Sequence, residues 1–193
     1  AALDLDVADV DVALRYGTAA HMPRGAIRMF GEQLTPVASP WLLKSSGAVG
    51  LRLHHPQDLA QFTLIEAGDA HRSHLEWLAW QRWFEKQALP KLSPKRWLYF
   101  NYAYQMVQAA LTGQGVVLAR LPLVAESMAN GDLIEVLPGA RMESPMAYWL
   151  IVGPRSAARP EIRAFCDWLQ DQAQATRTTI GEVPDPDLAD GLD

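Results

Sequence analysis

The period of apolar and polar positions changes along the chain, marking out strands and helices in turn. Residues 10–14 form a short β-branched run bounded by Arg15-Tyr16-Gly17, which predicts a buried strand ending at a turn. A second extended segment covers 26–39 and stops at Pro40. Ser39 can cap, and Pro40 can open, a short helix over 40–44. His55-Pro56-Gln57-Asp58-Leu59 reads as one helical turn ahead of a strand at 62–65. Ser73-His74-Leu75-Glu76 has the form of a capping box, in which hydroxyl and carboxylate satisfy free backbone amides. Behind it Trp77, Trp80 and Phe84 fall at i, i+3 and i+7, one helix face suited to core packing.

A strand-helix-strand unit follows. Residues 96–100 are strand-like, Asn101 is placed as an N-cap, and Met106, Ala109 and Ala110 mark the inward helix face. Gly113 and Gly115 close that helix ahead of a strand at 116–119. Pro122 opens another helix, ended by Gly131; 133–137 and 147–152 are apolar strands, the second broken by Gly153-Pro154. Pro160 starts the last helix, with Ile162, Phe165 and Leu169 as its buried stripe. Beyond about Ala175 the chain turns polar and acidic and reads as a disordered tail over 176–193. Strands alternating with helices predict an α/β fold with mainly parallel sheets. With no internal repeat or low-complexity linker, two lobes would be joined by crossing strands, at the segment ending at Ser39 and at 147–152.

Composition narrows the partners. The chain has 193 residues, enough for one sizeable core or two small ones sharing a cleft. A formal net charge of −5, with no concentration of Lys and Arg, argues against a nucleic-acid surface on these residues. No run approaches the roughly 20 apolar residues that span a bilayer. Cys166 is the single cysteine; it sits among core positions of the last helix and reads as packed, and a chain without an intrachain disulfide fits a reducing cytoplasm. The chain opens at Ala1 without a signal-like segment and runs straight into a strand, which reads as a cut through a longer domain.

Enzyme signatures are missing: there is no G-x-S-x-G, no G-x-x-x-x-G-K-[ST] and no C-x-x-C. Gly113-Gln114-Gly115 ends a helix instead of opening one, so it is no dinucleotide fingerprint. His71 and His74 straddle a helix start, which favours solvated or capping histidines over a metal site. What remains is a binding site without catalytic groups, metal or cofactor. Asn101, Tyr102 and Tyr104 follow a strand, where open α/β sheets take ligands and where free helix amides attract carboxylates and phosphates. Arg15-Tyr16-Gly17 and Ser39-Pro40 hold the same position after other strands.

The ordered set of motifs resembles the LysR-type transcriptional regulators. Asp9-Val10-Asp11-Val12-Ala13-Leu14-Arg15-Tyr16-Gly17, Leu34-Thr35-Pro36-Val37-Ala38-Ser39-Pro40, His55-Pro56-Gln57-Asp58-Leu59 and Trp77-Leu78-Ala79-Trp80 each match a family pattern. So do Ala109-Ala110-Leu111-Thr112-Gly113-Gln114-Gly115-Val116-Val117-Leu118 and Ala164-Phe165-Cys166-Asp167-Trp168-Leu169. The R-Y-G and W-x-x-W elements are similar to the branch of the glycine-cleavage activator and the β-lactamase regulator. The resemblance implies a two-lobed fold like the type 2 periplasmic binding proteins, with 1–37 plus 150–175 as the first lobe and 38–149 as the second. It implies a small-molecule effector held between the lobes by Tyr16, Gly17, Ser39, Pro40, Asn101 and Tyr102. It also implies a cytoplasmic regulator that self-associates as a dimer or tetramer and meets DNA only through a winged helix-turn-helix not in this sequence. The family's first strand-helix-strand of the first lobe is not in this sequence either, which leaves that lobe's sheet with an unpaired edge. Tyr102 and Ala103 stand where the family favours small hydroxyl residues, and the bulky Tyr102 implies a smaller or flatter effector, or a cleft partly filled by side chains. A free-standing solute-binding protein of the same fold is the alternative. An enzyme using Arg15 with His71 or His74 is a third reading, without a nucleophile or paired carboxylates behind it.

Overall fold

The computed structural model describes residues 10–69, 72–73 and 76–182. In chain order it has β1 (Val12–Gly17), β2 (Ile27–Ala38), α1 (Pro40–Ala48), β3 (Thr63–Asp69), β4 (Arg72–Ser73), α2 (Trp80–Lys86) and β5 (Arg96–Phe100). Then come α3 (Ala103–Leu111), β6 (Val116–Arg120), α4 (Leu121–Ala129), β7 (Ile134–Glu135), β8 (Met142–Val152) and α5 (Pro160–Ile180). Single 3-10 turns lie at Ala19–His21, Pro56–Gln61 and Glu76–Leu78. The chain is α/β and divides into two compact units, with boundaries inside β2 after Glu32 and inside β8 after Ser144.

The first unit combines β1 with the opening of β2, most of β8 and α5. β8 lies between β1 and β2, and β1 runs antiparallel to β8 from Val12 opposite Val152 to Gly17 opposite Ala147. Met29, Leu150, Cys166 and Ala173 form its buried core, with Val12, Phe30, Tyr148, Ile162 and Leu169 packed around them. α5 lies across this sheet: Arg159 reaches Asp11 at 3.0 Å beside β1, and Arg177 donates to the Met29 carbonyl on β2.

In the second unit the sheet is mixed. β3 runs parallel to β5 and β6, while β2 is antiparallel to β6 and β7, and β4 is antiparallel to β3. Val37, Val117, Ile65 and Leu98 stand level across four neighbouring strands. Both faces of the central strands are buried: Leu64 and Val116 are 0% exposed, and Ile65 and Val117 1%. Trp80, Trp83 and Phe84 of α2 are all buried and meet edge to face or stacked, with centroids 5.5–6.0 Å apart. Trp80 and Phe84 were expected in the core; Trp83 joins them, its indole N–H donating to the Ala140 carbonyl at 2.9 Å.

Several elements differ from the sequence pattern, each for a local reason. β1 continues through Arg15-Tyr16-Gly17, which therefore belong to the strand, because every one of these residues has a partner on β8. α1 runs to Ala48, beyond the expected 44, on the Ser39 cap. α2 starts at Trp80, not behind Ser73. Ser73 pairs in β4, and the Trp80 amide donates to the Glu66 carboxylate at 2.7 Å, so β3 supplies the cap. His71 and His74 lie outside the described residues. Tyr102, not Asn101, is the N-cap of α3. Only Ile134–Glu135 of the expected 133–137 strand pairs, against the end of β2.

α5 carries two further differences. Phe165 is 47% exposed and Cys166 takes its place, so the inward stripe runs Ile162, Cys166, Leu169, Ala173 and Ile180. The helix also continues past Ala175 to Ile180, where Gly181 takes a left-handed conformation and Thr176, Thr178 and Thr179 return their hydroxyls to carbonyls four residues back.

Candidate functional site

β3, β5 and β6 run in one direction, so their C-terminal ends meet at one end of the second unit's sheet. This is the end at which β2 enters the unit, since Leu34 pairs with Arg120. Asn101 and Tyr102 leave β5 there, exposed, and α3 begins at the next residue. Tyr102 is an extended N-cap whose side chain makes no capping bond, while its carbonyl accepts from the Gln105 and Met106 amides. The first amides of α3, on Ala103 and Tyr104, have no acceptor within the helix by construction. They add to the positive end of the helix dipole, and together favour a carboxylate or phosphate.

Tyr102 and Tyr104 stack with ring centroids 5.9 Å apart and an 18° interplanar angle. Both are more than half exposed, at 60% and 66%. Two nearly parallel aromatic rings thus stand exposed beside these amides. Along the flank of α3 a groove of about 290 Å³ continues from Phe100 and Tyr104 past Gln105, Gln108 and Thr112 to Gln114. Its polar lining is uncharged.

Glu66 stands on β3 in register with Tyr99 of β5, one residue before the end of β5 and three before the end of β3. Burial pushes its carboxyl above the ordinary carboxylate range, and the Trp80 amide only partly offsets that. Neither residue carries a motif signal; the parallel register places them there. Among the described residues no group of three His, Cys, Asp or Glu side chains could hold a metal ion.

Ser39 and Pro40 lie elsewhere. β2 is antiparallel to β6, so its C-terminal end reaches the N-terminal ends of β3, β5 and β6. Counting from the level row through Val37 and Leu98, Ser39 and Asn101 depart in opposite directions, about 20 Å apart at ordinary strand rise and spacing. The sequence pattern shows that each follows a strand but not which way the strand points. Ser39 is 3% exposed and its Oγ accepts the Leu42 amide at 3.1 Å, an ordinary cap. The structure therefore does not bring Ser39 and Pro40 together with Asn101 and Tyr102.

Tyr16 and Gly17 belong to the first unit, at the end of β1. The Tyr16 hydroxyl donates to the buried Glu32 carboxylate at 2.5 Å, and its ring lies 5.0 Å from that of Tyr148. The Gly17 carbonyl accepts the Trp149 indole N–H at 3.0 Å. Glu32 went unnoticed in the sequence because an isolated glutamate in an extended run gives no sign of burial.

The family model of the LysR substrate binding domain matches residues 2–174. The chain belongs to this family. It is 29% identical over 172 residues to the HTH-type transcriptional activator AmpR of Pseudomonas aeruginosa, covering 89% of this chain and 53% of that protein. It is 30% identical over 167 residues to the glycine cleavage system transcriptional activator of Escherichia coli, covering 86% of this chain and 51% of that protein. The chain thus spans about half the length of those relatives. The solved effector domain of Pseudomonas aeruginosa AmpR superposes with a TM-score of 0.62 at 26% identity, over 90% of this chain and 77% of that one. The AmpR effector binding domain of Citrobacter freundii, at 20% identity and a TM-score of 0.64 over 90% of this chain and 80% of that one, shares the fold. The family bears out the resemblance read from the motifs, including its branch, and it is a family of transcription regulators.

Proposed function

We propose that this chain senses a small anionic effector for a bacterial transcription regulator, and that the effector's acid group sits on the open amides at the start of α3. One observation supports this most: three parallel strands end beside an N-terminus whose cap residue leaves its side chain uncommitted. Asn101 would donate to the ligand, and the stacked Tyr102 and Tyr104 would carry its flat or apolar part. Occupancy would favour one conformation of the domain, and that shift would change how the assembled regulator presents its DNA-reading modules.

In this reading the winged helix-turn-helix lies outside these 193 residues, the intact protein works in the cytoplasm as a dimer or tetramer, and the domain performs no catalysis. Among the described residues no helix is long and apolar enough to cross a membrane. A solute-binding protein of the same fold is not favoured, because AmpR and the glycine cleavage activators are transcription regulators.

A thermal-shift screen of the chain against small carboxylates, amino acids and phosphorylated metabolites tests the assignment. The expected result is a stabilising acid whose shift is lost in Asn101→Ala and weakened in Tyr102→Ala. A hit that stabilises both variants as well as the parent protein overturns it.

A further inference from the structure

Unpaired positive charge gathers in the second unit at the N-terminal ends of β3 and β5, the end of the sheet opposite Asn101. Lys86 ends α2, Lys91 and Lys95 lie in the loop to β5, and Arg96 opens β5 level with Thr63 of β3. All four are exposed, and among the described residues none of them forms an ion pair. Residues 86–96 hold no acidic side chain, although the whole chain has a net charge of −5. Scattered among apolar and small residues, these cations make no long basic run in the sequence; the turn from α2 into β5 gathers them. The acids nearby are committed. Asp58 accepts the His54 and His55 amides at 2.9 and 2.8 Å, and Glu85 accepts from the Gln81 side chain at 3.1 Å.

Beside these cations the same loop forms a groove of about 530 Å³ with the 3-10 turn Pro56–Gln61. Ala60, Ala88, Leu89, Pro90 and Leu92 give it an aliphatic lining, and Lys91 stands among them. The loop is held in shape from several sides. The Leu89 amide donates to the Phe84 carbonyl at 2.8 Å, the Leu92 amide to the Leu89 carbonyl at 3.0 Å, and the Lys95 amide to the Phe62 carbonyl at 3.1 Å. The Gln81 side chain donates to the Pro90 carbonyl at 3.1 Å. Ala88 sits at φ 59°, a region where residues other than glycine are uncommon. The groove's shape is thus built into the fold.

We infer that this groove docks an acidic segment of a partner protein, a short stretch in which leucine-like side chains alternate with aspartate or glutamate. The apolar side chains enter the groove, and the carboxylates beside them pair with Lys86, Lys91, Lys95 and Arg96. Charge complementarity carries the choice of occupant. Cations alone would suit any polyanion, and an aliphatic groove alone any apolar group; together they select a segment that has both. The lining offers no aromatic ring on which a nucleic-acid base would stack. Because the groove lies at the opposite end of the sheet from Asn101 and Tyr102, the inference stands apart from the effector site proposed above.

A labelled synthetic peptide, Asp-Asp-Leu-Asp-Asp-Leu-Asp-Asp, titrated with the chain and followed by fluorescence anisotropy, tests this. The expected result is binding that weakens about tenfold when salt is raised from about 50 to about 200 mM. The double variant Lys91→Glu/Lys95→Glu, changed only at exposed positions, keeps the circular dichroism of the parent and loses at least about tenfold in affinity. Ala60→Trp, which fills the groove and leaves every charge in place, loses as much, and so does the peptide with both leucines replaced by serine. Binding that either variant retains in full, or no binding to the parent, overturns the proposal. A short DNA duplex that binds as tightly as the peptide and is indifferent to Ala60→Trp assigns the cations to nucleic acid, and overturns it. Self-association that Lys91→Glu/Lys95→Glu abolishes assigns the groove to a second copy, and tighter peptide binding after removal of residues 184–193 assigns it to the chain's own acidic segment. Either result overturns it too.

Discussion

At the scale of single residues, Gly115 has no room for a side chain. A Cβ there would stand 2.7 Å from the Thr63 carbonyl oxygen, a backbone atom that cannot swing away. Gly113, two residues earlier, has φ +75° and a Trp41 ring 2.4 Å from where its Cβ would be. The paired glycines of the family motif are thus explained by close backbone approach and a helix end, not by phosphate binding. Gly115→Ala is expected to lower unfolding stability by about 2 kcal/mol in urea titration. A second residue-scale expectation concerns Glu135, which accepts two 3.0 Å bonds from Arg141 and one of 2.9 Å from the buried Thr35 hydroxyl. The Arg141 guanidinium holds its carboxyl below the ordinary glutamate value of 4.5. A depressed folded pKa stabilises above the unfolded value and is lost as pH falls through the folded one. Stability should therefore decline below about pH 4.5 less steeply in Glu135→Gln than in the parent. At neutral pH the substitution should cost about 1 kcal/mol, a low figure because Arg141 is 34% exposed and screened by solvent. The burial of Glu32 and Trp83 and the partial burial of Glu66 were not legible in the chain, since each depends on partners at least 14 residues away or on register.

At the scale of elements, α1 and α3 look alike in sequence, each following a strand and opening beside a polar or aromatic residue. Their ends differ in commitment. Ser39 closes the start of α1 with its own hydroxyl, whereas Tyr102 leaves the start of α3 open. Ser39→Ala is expected to cost about 1 kcal/mol through the lost cap and to leave effector affinity unchanged, as checked by denaturation and titration of the same variant. Most elements could be read from periodicity and punctuation, including the Ser39–Pro40 helix start, the Gly113 helix end and the Pro160 opening. The capping box at Ser73 lies partly outside the described residues, and α2 starts only at Trp80, whose amide is held by the Glu66 carboxylate of β3. Strand direction could not be read either: alternation of side chains is the same whichever way a strand points, and the antiparallel course of β2 moved Ser39 and Pro40 to the far end of the sheet.

At the scale of the whole molecule, family, fold class and the absence of familiar catalytic motifs were all legible in the order of the motifs, and the family match over residues 2–174 agrees with the first two. The proposed site was legible only in part, because Asn101 and Tyr102 stand at the meeting of three strand ends that only the parallel register brings together. The account rests on that end of the second unit being where a ligand binds. Amide chemical shifts of the chain, followed by NMR during titration with the acid that best stabilises it, test this most directly. The predicted result is a set of perturbed amides centred on residues 101–105, spreading to the C-terminal ends of β3 and β6. Perturbations centred instead on Ser39 and Pro40, with residues 101–105 unmoved, would contradict it.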